Sequence, residues 1–118
     1  MEKKNVYLLV ASADDANVCF FGSQLVEVIE KQEERIADIR KSGNLERFAQ
    51  EAYAHSQFIV SNIERIPFNL RLQYLNFAVM CCLHVLDRPR HLRLKNVSLT
   101  TNVDDILEQL TLLVDDCR

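Results

Sequence analysis

The sequence predicts a mainly α protein: a compact bundle of about four helices around a central apolar helix at residues 68–86, with one or two short extended or strand segments at 5–11 and 92–99. Three observations predict it. Only two Gly and two Pro occur in 118 residues, which leaves few turns and favours a handful of long helices. Apolar residues recur at spacings of three and four over most of the chain. The stretch FNLRLQYLNFAVMCCLHVL, Phe68 to Leu86, turns apolar on nearly every side from Phe77 onward, as a helix does when other protein surrounds it. At this length the whole chain, 1–118, is expected to form a single helical domain.

Residues 5–11 (NVYLLVA) have the length and β-branched content of a strand, although periodicity over so few residues also admits a short helix. Ser12 to Asp15 reads as a capping box at a helix N-terminus. The next helix is clearest from Ser23 to Lys41, with Val18, Phe21, Leu25, Val28, Ile29, Ile36 and Ile39 as its buried stripe. A start at Ser23, with residues 16–21 as a second strand, competes with an earlier one. Gln32 interrupts the stripe, either as a boundary residue or as a polar register marker in a dimer seam.

Ser42-Gly43-Asn44 closes that helix, glycine supplying a left-handed cap. A helix from Leu45 to about Ile66 comes next, carrying Leu45, Phe48, Ala52, Phe58, Ile59 and Ile63 on one face. Pro67 stops it and opens the next, because proline fits a first helical turn but not an interior. Asp87-Arg88-Pro89 ends the apolar helix, whose single polar edge is Gln73, Asn76, Met80, His84 and Asp87. Residues 92–99 (LRLKNVSL) show broken alternation and read as a short strand or extended loop with a kink near Asn96. Thr101 to Asp104 is a second capping box, and Val103, Ile106, Leu107, Leu110, Leu113 and Val114 stripe the last helix.

Composition narrows the function classes. A net charge of −3 argues against a generic nucleic-acid coat. The opening MEKKNVYLLVASADD has too short an apolar run for a signal peptide, and no stretch approaches the roughly 20 apolar residues that span a bilayer. A cytoplasmic location with four free thiols is therefore expected. Cys81 and Cys82 project about 100° apart on a helix and lack a second ligand pair, so packing rather than metal binding is expected of them. His84, near a helix C-terminus, would favour its charged form. His55 has no nucleophile beside it, since Ser56 points elsewhere. Nothing resembles a nucleophile elbow, a phosphate-binding glycine loop or an HExxH helix. No enzyme, no cofactor and no metal are expected.

Two features remain as candidate partner-binding sites. Arg88, Arg90, His91, Arg93 and Lys95 form a basic stretch around Pro89, suited to carboxylates or phosphates. Their competing role is to neutralise Asp115 and Asp116, which sit unfavourably at a helix C-terminus. Phe20 and Phe21 are adjacent, so one ring must face away from the core. The expectation is a protein-binding regulator or adaptor (an antagonist, chaperone or immunity-type protein) acting without catalysis, with a homodimer as the expected assembly. A nucleic-acid-binding regulator using residues 88–95 is the alternative.

Overall fold

The computed structural model describes residues 22–118, and within them the chain is four α-helices with no strand: α1 (Gly22–Ser42), α2 (Leu45–Ser61), α3 (Phe68–Leu86) and α4 (Val97–Asp116). The expected strand at 5–11 and the capping box at Ser12–Asp15 lie outside the described residues, as do Phe20 and Phe21. Short 3₁₀ turns at Ile63–Arg65 and Arg90–Leu92 join the later helices. Among the described residues no helix is long and apolar enough to cross a membrane.

Local chemistry sets most of the boundaries. Gly43 takes φ +80°, the left-handed conformation that ends α1 at low steric cost. Asn44 then caps α2, its side chain accepting from the Arg47 amide at 3.1 Å. That helix ends at Ser61, one turn earlier than the sequence suggests. The Asn62 side chain donates to the Phe58 carbonyl at 2.9 Å and competes with the backbone ladder. Ahead of Pro67, Ile66 is held extended, at φ −79° and ψ 131°. Arg71 clamps this corner by donating to the carbonyls of Ile66 and Glu64 at 2.9 and 3.2 Å.

Residues 92–99 are not a strand. Leu92 closes a 3₁₀ turn, Arg93 is extended, and α4 already begins at Val97. Asn96 is its N-cap, accepting from the Leu99 amide at 3.0 Å. The Thr101–Asp104 pattern thus lies inside the helix, and Leu99 joins the buried stripe of Val103, Ile106, Leu110 and Val114.

The hub of the bundle, in the sense of packing on all three other described helices, is α2. It packs against α1, α3 and α4, whereas α3 packs closely on α2 and α4. Residue size contributes: Ala49, Ala52 and Ser56 are fully buried on one face of α2, where small side chains let a neighbouring helix come close. The other side of α3 stays open, with Phe68, Leu72, Met80 and Leu83 exposed. Its link to α1 is polar: the buried Tyr74 donates its hydroxyl to Glu30 at 3.0 Å.

Gln32 marks register inside the chain. Its Oε1 accepts from Nδ1 of the buried His55 at 2.7 Å, tying the middle of α1 to the middle of α2. An exposed ion pair, Arg35 with Glu51 at 3.1 Å, continues the same seam and adds less than about 1 kcal/mol.

Candidate functional site

The second half of α3 and the end of α1 diverge enough to leave a groove of about 940 Å³ between them. Helical spacing explains its walls. Ile36, Ala37, Arg40 and Lys41 form one face of α1; Met80, Leu83, His84 and Asp87 form the facing edge of α3. Phe48 from α2, with Phe77 and Cys81 from α3, makes the floor, and Arg88, Pro89 and Leu92 close one end. The floor is apolar, and its exposed part includes Met80 at 65% and Leu83 at 40% exposure. Met80 is a flexible thioether that can adapt to a ligand lying on it.

The charge on the rim is one-sided. Arg40, Lys41 and Arg88 face Asp87 as the groove's single carboxylate, and among the described residues none of them forms an ion pair. His84 stands edge-on to the Phe48 ring, 5.0 Å between centroids. Burial, then the nearby Arg40 and Arg88, lower its pKa. The charged form expected from the helix C-terminus is thus opposed by its surroundings.

Of the sequence-derived candidates, Arg88 lines the groove, with Pro89 and Leu92 from the same stretch. Arg90, His91, Arg93 and Lys95 are exposed beside it and line no part of it. Among the described residues none of these cations forms an ion pair with Asp115 or Asp116. The bonds made are local: Arg93 Nε donates to the Arg88 carbonyl at 3.1 Å, and Arg88 Nη1 to that of His84 at 3.5 Å. Sequence reasoning missed Arg40, Lys41 and Phe48. The signal for them was the one-face spacing of Arg40 and Lys41 with Ile36, which is meaningful only once α1 is known to face α3.

Cys81, Cys82, Ser56 and His55 pack in the interior. Cys81 is buried, and burial first, then Cys82 and Glu33, push its thiol up to about 12. Burial also pushes up Cys82, whose Sγ lies 3.7 Å from the Ser56 hydroxyl. Such thiols are poor nucleophiles and poor ligands, and among the described residues no group of His, Cys, Asp or Glu side chains could hold a metal ion. Ser56 faces Cys82 while His55 faces Gln32, so the two form no dyad.

No protein-family model matches the chain, and neither does any curated protein or solved structure.

Proposed function

We propose that the protein acts by binding another protein, as a regulator or adaptor without catalysis, and that the groove between α1 and α3 receives an amphipathic helix bearing carboxylates beside its apolar face. One observation carries the reading: an apolar floor open to solvent coincides with a rim of three cations, in a chain whose net charge is −3. Helix-in-groove recognition uses anchors at i, i+3, i+4 and i+7. The groove-facing run of α3 from Phe77 to Asp87 is about 15 Å long, enough for nearly three turns of a partner helix. A cytoplasmic setting belongs to this reading.

The test is fluorescence anisotropy with a labelled 18-residue peptide carrying a Leu stripe flanked by Glu. Saturable binding to the wild type that Met80→Glu reduces at least about tenfold supports the proposal, since the new carboxylate lands on the floor and repels the peptide. Light scattering on the protein alone runs beside it. A dimer that Met80→Glu converts to a monomer, with no peptide binding, means that a second copy fills the groove and overturns the proposal. A nucleic-acid mobility shift at low salt without peptide binding overturns it in favour of residues 88–95.

A further inference from the structure

The groove's lining carries three cations against one carboxylate: Arg40 and Lys41 from the last turn of α1, and Arg88 from the loop after α3. Arg88 is the most constrained of the three. One of its guanidinium nitrogens donates to the His84 carbonyl at 3.5 Å, while its Nε–H is buried with no acceptor. That Nε–H is closed off from solvent, so what Arg88 offers an incoming carboxylate at the groove is the guanidinium charge rather than this donor. Asp87 lines the same groove yet pairs with none of the three cations, leaving them available to an outside anion. Arg40 and Arg88 both disfavour a proton on His84, which places the two guanidinium groups within electrostatic reach of one point although they come from different elements.

We infer that Arg40, Lys41 and Arg88 form a carboxylate seat, which holds an acidic side chain of the partner helix while that helix's apolar face lies on Met80 and Leu83. The inference rests on the groove reading above and adds which residues read the partner and by what chemistry. Guanidinium groups hold carboxylates through paired N–H···O bonds. A nucleic-acid backbone would satisfy the cations but leave the apolar floor uncovered. A carboxylate flanked by apolar side chains satisfies both.

The experiment compares two labelled 18-residue peptides with the same Leu stripe, one carrying Glu at the flanking positions and the other Gln. Wild-type protein should bind the Glu peptide roughly tenfold more tightly, an advantage that shrinks as salt rises. Arg40→Gln and Arg88→Gln should each remove most of that advantage, read as the ratio of the two peptides' affinities within the same variant. Arg40 is exposed and takes no part in the bond to His84, so its variant decides the matter even if Arg88→Gln fails to fold. Equal binding of both peptides to the wild type, abolished by Met80→Glu, overturns the seat and leaves the docking groove standing. Failure of both peptides to bind overturns the seat and the groove reading together.

Discussion

His55 is where the chain's acid sensitivity is set. It is 3% exposed, donates from Nδ1 to Gln32, and has its Nε2 buried without a partner beside the Phe77 ring. Burial lowers its pKa from 6.5 to about 4. Below pH 6.5 the unfolded chain takes up a proton that the folded chain refuses until about pH 4, so this residue makes stability fall with acid across that window. The full loss is about 3 kcal/mol. Glu33 works in the opposite direction. Burial, then Glu30, raises its carboxyl from 4.5 to about 7, so the folded chain holds a proton there that the unfolded chain releases, and stability falls as pH rises through that range. The two slopes oppose each other over roughly pH 4.5–6.5. Urea unfolding at several pH values separates them: Glu33→Gln should lose stability steeply on acidification, and His55→Gln should gain it. Identical pH profiles for the two variants would contradict the assignment.

At the scale of elements, α2 packs on all three other described helices, while α3 and α4 pack most extensively on each other. Ile59 is fully buried on α2, and Ile59→Ala should lower stability by about 2–5 kcal/mol in chemical denaturation. Met80→Ala on α3 should change it by less than about 0.5 kcal/mol, because that side chain is 65% exposed. The reverse ranking would contradict the burial assigned to these two side chains. Legibility in the sequence tracks the range of the forces involved. Gly43, Pro67 and the polar edge Met80–His84–Asp87 were readable because each acts within its own turn of helix or its own chain reversal. The α4 start was missed because Leu92 and Leu94 imitate strand alternation, while the Asn96 cap competes with a stronger-looking box at Thr101. The hub was missed because Ala49, Ala52 and Ser56 are ordinary as letters; their importance comes from the helices that close on them.

Across the whole molecule, the apolar and cationic surfaces that share one groove lie far apart in the chain. Arg40 lies in the last turn of α1 and Arg88 just past α3, with all of α2 and α3 between them, so the groove could not be read from either stretch alone. The basic run at 88–95 was half informative: Arg88 contributes to the groove, and Arg90, His91, Arg93 and Lys95 extend positive charge beyond its end. Those outer cations would speed the approach of an acidic partner more than they would tighten its hold. Under the proposed reading, steering and docking would fall to different residues. Residue-resolved NMR, titrating ¹⁵N-labelled protein with the Glu-bearing amphipathic peptide, tests that division most directly. Saturable shifts centred on Arg40, Phe77, Met80, Leu83, His84 and Arg88 are the expected result. Shifts confined to residues 90–95, or centred on the exposed side of α4, would contradict it.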